Sequence, residues 1–448
     1  MVRVDPAVKF LVLETASPLL TETQARFTPN IRYIEMDEIA ETTTWTPNDP
    51  IFASQDNLVE MGAVDAWQNE IGSRSVSICN IDTGFDYRHG DLADGYLGGY
   101  DFYDDDANPL NTVSGTHGMM MIGISAATIN NGRNISGVAN VSFYGLKTNS
   151  DSSGGGVDAA AAASSMSWCA NQSARVFSMS FGSQTEHTDW NTSLQFAFYH
   201  RNAVLVASAG NSLNSPILFP GRHPISLTVT CVTASNVVCG NPFPSMSRGP
   251  ALDISAPGNN VWKLDSGNRT TVPTGGATSE AAAHVAGAAA ILISHQPSLV
   301  NQVVKDLLEE TATDIAVYGS GRDDDSGWGM VNVGAALDEL LPDWLPTCRF
   351  VLPLKTTTLS GVANISAYAY SPGNNIAYVN LTVDSTFIGG MTHHTSDIVN
   401  DAYYLGNDTY YRGFDTTTLT DGAHTFEVKC RESDGGERAI TRTYTVDN

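Results

Sequence analysis

Basic residues are scarce: 23 Lys and Arg stand against 48 Asp and Glu, for a formal net charge of −25 and a sequence pI of about 4.5. A surface so acidic repels phosphate backbones and anionic headgroups, which excludes nucleic acid and anionic membranes as partners. Long apolar runs are missing too. None reaches the roughly 20 residues that cross a bilayer, and the opening Met1-Val2-Arg3-Val4-Asp5 lacks the apolar core of a signal peptide. Cysteine is limited to six residues with no Cys-X-X-Cys spacing, which argues against a zinc site. No internal repeat appears, so a solenoid is excluded. What remains is a chain of 448 residues, 42% hydrophobic, with 40 Gly and 19 Pro. That is the composition of a loop-rich globular protein of two or three domains.

The cysteines divide into three pairs of places. Cys231 and Cys239 flank a short segment and could staple a loop. Cys348 and Cys430 lie near the two ends of the last hundred residues and could bridge them. Cys79 and Cys169 fall in an expected strand and an expected helix, where buried free thiols are the reading. Sequons from Asn134 to Asn407 agree with an extracellular setting.

The chain is organised around the stretch from Thr274 to Ile293. A Gly-rich turn, Gly275-Gly276, feeds Ser279 into an almost wholly apolar helix that ends before Pro297. Such a helix is buried on all sides. A serine at its tip meets free backbone N–H groups and the positive end of the helix dipole, which suits nucleophilic chemistry; a simple N-cap role is the alternative. Upstream, Val76 to Ile81 reads as a buried strand ending at Asp82-Thr83-Gly84, and a carboxylate at the C-terminal end of a parallel strand is where α/β folds place function. Strands at 143–146, 176–179, 203–207 and 227–232 alternate with helices at 157–170 and 191–200. That alternation predicts an α/β fold, a doubly wound parallel sheet with helices on both faces. From Cys348 the pattern turns to short strands and Gly-rich turns, as in an all-β sandwich. The expected boundaries are 1–43, 44–341 and 348–448.

Three blocks then fall in the order Asp, His-containing, Ser: Asp82-Thr83-Gly84, Gly115-Thr116-His117 and Thr278-Ser279. Ser208-Ala209-Gly210-Asn211 adds a side-chain amide after a strand. Together they resemble the subtilisin family of serine proteases, with a thermitase-like flavour in Thr46-Pro47-Asn48-Asp49-Pro50 and Tyr100-Asp101-Phe102. The resemblance implies that Asp82 orients a base, that Ser279 attacks a peptide carbonyl, and that Asn211 with the Ser279 N–H forms an oxyanion hole. It also implies that Ser180, Phe181 and Gly182, with Gly154, Gly155 and Gly156, line the cleft and pair with a polypeptide by strand addition.

The family pattern His-Gly-Thr-His-Val-Ala-Gly, whose first His is the base, aligns with Ser114-Gly115-Thr116-His117-Gly118-Met119-Met120. In that register the base is replaced by Ser114, and His117 becomes the second, structural histidine. The expectation is a subtilase with impaired or absent peptidase activity. The alternatives are a working serine endopeptidase with an unrecognised base and a peptide-binding or adhesive pseudoprotease. Glu280 also stands where the family has Met.

The same resemblance implies structural calcium. Asp49, Asp91 and Asn131 would form one site, completed by loop carbonyls near Ile129, Arg133 and Ile135, and Asp101, Asp104 and Asp106 would form another. Val8 to Glu41 is similar to the second half of a subtilase propeptide, cut in the family near Thr42–Thr44, and inactivity would leave it uncut. The last hundred residues are similar to Ig-like accessory modules. A secreted monomer is expected.

Overall fold

The computed structural model describes residues 3–5, 10–12, 45–151, 156–212, 215–240, 246–271, 276–341, 346–355, 357–371, 375–393, 409–433 and 435–448. The chain divides into two compact units, Met1–Trp45 and Thr46–Asn448. In the first, β1 (Arg3–Asp5) pairs antiparallel with β2 (Phe10–Val12). The rest of the propeptide-like stretch, with its expected helix and second strand, lies outside the described residues.

The second unit opens with two short helices, α1 (Asp56–Glu60) and α2 (Ala63–Ala66), and then enters the sheet. β3 (Ser77–Asp82) is buried along its whole length, as a strand covered on both faces must be. β4 (Tyr96–Asp101), α3 (His117–Ala126), β5 (Ser142–Lys147), α4 (Ala159–Asn171), β6 (Val176–Met179), α5 (Thr188–Arg201) and β7 (Val204–Ser208) follow. β8 (Ser226–Val232) and β9 (Ile254–Pro257) complete a seven-stranded parallel sheet of order β4-β5-β3-β6-β7-β8-β9. A hairpin, β10 (Lys263–Asp265) with β11 (Arg269–Thr271), leads to α6 (Thr278–His295), α7 (Asn301–Glu310) and α8 (Val333–Asp338).

The expected doubly wound sheet is therefore present, with β4 as an edge strand that the alternation did not reveal. The strand order fixes where a site can form. From β3 the chain skips to the edge strand β4 and returns to β5 beside β3, then crosses to β6 and continues outward on the other side. The crevice beyond the C-terminal ends of β5, β3 and β6 is the topological switch point, where such sheets bind ligands. Lys147, Asp82 and Ser180 stand at or just past those three ends.

Every residue of α6 from Thr278 to Ser294 is buried, as its missing polar face predicted. The helix packs on β6, β7, β8 and β9 and against α3. Cys79 and Cys169 are not free thiols: they form a disulfide tying β3 to α4, across 90 residues of sequence. No local spacing announces a pairing between residues so far apart. Cys231–Cys239 and Cys348–Cys430 are bonded as expected.

The C-terminal region is an all-β sandwich. One sheet has the order β12 (Thr347–Leu352), β13 (Val362–Tyr370), β17 (Thr409–Asp415), β16 (Thr392–His393). The other runs β15 (Thr386–Gly390), β14 (Ile376–Val383), β18 (Gly422–Glu432), β19 (Glu437–Val446), and all its pairs are antiparallel. Phe350, Phe426 and Tyr444 fill the space between the sheets, and Cys348–Cys430 links β12 to β18.

Candidate active site

Asp82 ends β3 with its side chain 3% exposed. Its carboxylate accepts from Thr83 N–H at 2.7 Å, and its carbonyl is held by Thr148 N–H and Oγ1 at 2.9 and 2.7 Å. The imidazole of His117, first residue of α3, places Nδ1 at 2.8 Å from Asp82 Oδ1 and 3.0 Å from Oδ2. The neighbouring glycine makes this approach possible. A Cβ on Gly118 would lie 2.5 Å from Gly84 O and 3.0 Å from Asp82 Cβ, so no other residue fits there without displacing backbone. Gly118 N–H and C=O are bound by Thr83 Oγ1 and Asn80 Nδ2 at 3.0 and 3.1 Å, which stitches the helix tip to β3.

Ser114, the residue expected at the base position, is elsewhere. Its hydroxyl donates to Asp265 Oδ2 at 2.9 Å, and Gly115 N–H donates to Asp265 Oδ1 at 2.8 Å. Ser114 is exposed and belongs to the turn that leads into α3. A register shifted three residues along from the one built on Gly115-Thr116-His117 puts His117 first. His117, Gly118 and Gly123 occupy the first, second and seventh places of the family pattern, and His117 is the histidine that meets the carboxylate.

Ser279 is the second residue of α6, so its N–H is one of the unbonded donors of the first turn. The residue is buried, with Oγ 3.4 Å from Ser180 O, while Ser180 Oγ donates to Ser279 O at 3.1 Å. Asn211 Oδ1 accepts from Thr278 N–H at 2.9 Å and from Thr278 Oγ1 at 3.0 Å. Those bonds fix the amide's orientation and turn Nδ2 away from Thr278. Ser180 and Phe181 are buried and Gly182 is exposed. Gly154 and Gly155 lie outside the described residues; Gly156 is exposed, and its carbonyl accepts from Asn149 Nδ2 at 2.7 Å.

Burial alone would pull the His117 pKa down. The charge and hydrogen bond of Asp82 outweigh it, Glu280 adds to them, Lys263 opposes, and the imidazole sits above its ordinary 6.5. Glu280 follows Ser279 directly at the tip of α6, the helix that packs against α3. Glu280 does not face the site as a bare charge: it is buried in an ion pair with Lys263 of β10. The hairpin that supplies Lys263 also supplies Asp265, and so ties the turn before His117 to the residue after Ser279.

A base must be neutral to take a proton. The raised pKa therefore predicts that proton abstraction by His117 appears with rising pH through a midpoint above 6.5. The charged His117–Asp82 pair also contributes stability that is complete below 6.5 and lost as pH rises through the folded pKa. A pH–rate profile with its midpoint at or below 6.5 contradicts this.

Several of the side chains expected to hold calcium are engaged by partners within the chain. Asp49 spends Oδ1 on the N–H groups of Asn131 and Gly132 at 2.9 and 3.1 Å. Its Oδ2 takes Asn130 N–H and Ser136 Oγ at 2.8 and 2.6 Å. Asn131 turns its amide N–H toward Asp91 at 3.1 Å, and its oxygen accepts from Arg133 N–H at 2.8 Å. In the other group a cation is built in. Lys147 Nζ lies 2.6 Å from Asp101, 3.1 Å from Asp104 and 3.0 Å from Asp151, with the Lys147 and Asp101 side chains 4% and 2% exposed. Asp106 bonds instead to Asn108 N–H at 2.7 Å. Among the described residues no cluster of three or more His, Cys, Asp or Glu is set to hold a metal.

Burial works against the Lys147 charge, and the three carboxylates overcome it and hold the ammonium above its ordinary 10.5. Lys147→Met leaves Asp101 buried without a counter-charge, at a cost of about 3–5 kcal/mol. Calorimetry should show a lower melting temperature that millimolar calcium raises more in the variant than in the wild type. An unchanged melting temperature contradicts the role.

A subtilase family model matches residues 73–329, more than half of the chain. The chain belongs to the subtilase family. It is 32% identical to thermitase of Thermoactinomyces vulgaris over 62% of this chain and 95% of thermitase. It is 32% identical to subtilisin E of Bacillus subtilis over 69% of this chain and 76% of that protein. The halolysin-like extracellular serine protease Nep of Natrialba magadii is 30% identical over 69% of this chain, which spans only 56% of Nep. Among solved structures, a protease from Pseudoalteromonas arctica superposes with a TM-score of 0.57 at 23% identity, covering 65% of this chain and 99% of that one. Sphericase does so at 0.53 and 25%, covering 61% and 97%. Both carry the subtilase fold, and each stops well short of this chain's full length.

Proposed function

We propose that this subtilase is a competent serine endopeptidase in which Asp82, His117 and Ser279 form the catalytic triad. The observation that carries the reading is the pair of hydrogen bonds from the His117 imidazole to Asp82. The expectation of inactivity rested on Ser114 as the base, and the Asp82–His117 contact supports His117 in that place instead. In this mechanism Asp82 holds Nδ1–H, which leaves Nε2 to take the proton of Ser279 as Oγ attacks the peptide carbonyl. The oxyanion is received by the Ser279 N–H at the tip of α6 and by Asn211 Nδ2, whose orientation Thr278 maintains. The imidazolium then passes its proton to the leaving amine, and water resolves the acyl enzyme by the same steps.

The substrate is a polypeptide held in extended form along Ser180–Gly182. Three disulfides agree with an oxidising compartment, and the protein is read as secreted. The two four-stranded antiparallel sheets of the sandwich support an Ig-like reading of that region.

The test uses a fluorophosphonate probe and denatured casein with the wild type and Ser279→Ala. Labelling and hydrolysis are expected in the wild type alone. Self-cleavage near Thr42–Thr44 is expected with them, and retention of the leading segment in Ser279→Ala. An unlabelled wild type that leaves casein intact overturns the reading.

A further inference from the structure

This inference rests on the reading just given and concerns what holds base and nucleophile at their working distance. His117 opens α3, and Ser279 lies in the first turn of α6. Both helices are gripped by β10, three residues long and buried throughout. Lys263 pairs with Glu280, the residue after Ser279, and the two side chains are 11% and 8% exposed. The other oxygen of that carboxylate, Oε2, is buried without a hydrogen-bond partner, so the hold rests on Lys263. Leu264 is wholly buried and meets α3 where a side chain is missing. A Cβ on Gly123 would fall 2.8 Å from Leu264 Cγ and 3.0 Å from Cδ1. Asp265 takes the turn into α3, accepting from Gly115 N–H at 2.8 Å and from Ser114 Oγ at 2.9 Å. The strand is itself fixed. It pairs with β11 from Lys263–Thr271 to Asp265–Arg269, and Asn268 in the connecting turn accepts from Gly90 N–H at 2.7 Å.

Proton transfer from Ser279 to His117 tolerates little error. A base must come within about 2.6–3.2 Å of the atom that carries the proton, and a misplacement of about 1 Å costs about a hundredfold in rate. α3 is held at two points, in its second turn by Leu264 and just ahead of its first residue by Asp265, and α6 is held in its first turn by Lys263. We infer that β10 is a spacer, and that Lys263 and Asp265 are positioning residues that set the base against the nucleophile. Both act through others. Lys263 acts through Glu280 on the turn that carries Ser279, and Asp265 acts through Gly115 on the turn that delivers His117. The contacts resist approach as well as withdrawal. Leu264 against Gly123 limits approach, since a close-packed interior yields little to compression. The two charged contacts oppose separation, as hydrogen bonds to ionised groups are the strong ones.

The experiment compares kcat and KM, normalised by active-site titration, with melting temperature. The variants are Asp265→Ala, Asp265→Asn, Lys263→Met, and Lys263→Met combined with Glu280→Met. Asp265→Ala frees the turn and should lower kcat by about a hundredfold, with KM little changed because no contact to bound substrate is removed. Asp265→Asn should recover most of that loss, since its amide oxygen still accepts from Gly115 N–H. Lys263→Met strands a buried carboxylate and should lower kcat and melting temperature together. Replacing both members of the pair with methionine should restore the melting temperature and leave kcat low, because two flexible thioethers fix no distance. A kcat that follows melting temperature through the whole series, or that stays at the wild-type value in Asp265→Ala, overturns the inference. Crystal structures of the wild type and Asp265→Ala read the separation of Ser279 Oγ and His117 Nε2 without turnover. A longer separation in the variant supports the spacer. An unchanged one overturns it, and this comparison holds even where the wild type hydrolyses nothing and the triad reading alone has failed.

Discussion

His117→Ala lowers the turnover of peptide substrates about a millionfold, as loss of the histidine does in subtilisin, while Ser114→Ala stays near wild type. A millionfold is about 8 kcal/mol of barrier. It is the cost of asking Ser279 Oγ to attack without a proton acceptor, since a hydroxyl gives up its proton only to a base within hydrogen-bond reach. Asp82→Asn leaves the shape intact but favours the wrong tautomer of the imidazole, for a loss of about ten-thousandfold. Ser114 makes a part-buried hydrogen bond to Asp265, which keeps the N–H groups of Gly115 and Ser266 as partners, so its loss should cost about 0.5–1.5 kcal/mol of stability. The same geometry predicts that Ser114→His recovers nothing in the His117→Ala background, because an imidazole at 114 starts from the wrong side of the turn and faces Asp265. Active-site titration followed by kcat for each variant decides the matter. Strong loss in Ser114→Ala with activity retained in His117→Ala would return the base to position 114.

The contrast between positions 114 and 117 is instructive about what a chain shows locally. Asp82, Ser279 and Asn211 were singled out in the sequence because each stands where regular structure begins or ends: after a buried strand, at the tip of an all-apolar helix, after another strand. Asp82 and Ser279 proved to be buried at those places, and Thr278 holds Asn211 in line with them. His117 was read as the second histidine because Gly115-Thr116-His117 reproduces three consecutive residues of the family pattern. The physical demand is for glycine immediately after the base, where α3 touches Gly84 and Asp82. Only His117-Gly118 meets it, and Gly123 five residues on agrees. Other features were invisible for a different reason. The Cys79–Cys169 disulfide, the Lys263–Glu280 pair and the three carboxylates around Lys147 join residues that only the fold brings together. An acidic loop looks the same in sequence whether a divalent ion or an ammonium neutralises it.

The sandwich, expected as an accessory module, is joined to the peptidase region by buried charges, and breaking the central pair should destabilise the whole second unit. Arg442 of β19 meets Asp306 of α7 at 2.5 Å, with side chains 7% and 1% exposed. Lys355 stands 3.1 Å from Glu309 and 3.2 Å from Glu310, and Arg349 bridges Glu310 and Glu339 at 2.9 and 2.7 Å. Tyr368 of β13 bonds to Ser298 at 2.7 Å and also to Gln296. α7 therefore offers three acidic residues to three basic ones from the sandwich and its approach. Burial favours the neutral acid at Asp306, but Arg442 and Lys355 outweigh it and hold the carboxyl below its ordinary 3.8. This contribution to stability is present above 3.8 and is lost as pH falls through the folded pKa. Arg442→Met removes the guanidinium and leaves Asp306 ionised in a dry interface, at a cost of about 3–5 kcal/mol. Adding Asp306→Asn should return part of that cost, because the two residues act as a pair, and a double-mutant cycle measures the coupling. Ending the chain at Leu341 takes away Arg349, Lys355 and Arg442 together. That truncated protein should melt well below full length or fail to accumulate folded, as thermal unfolding and solubility would show. A truncated chain that melts with the full-length protein would mean that the sandwich rests on α7 without supporting it.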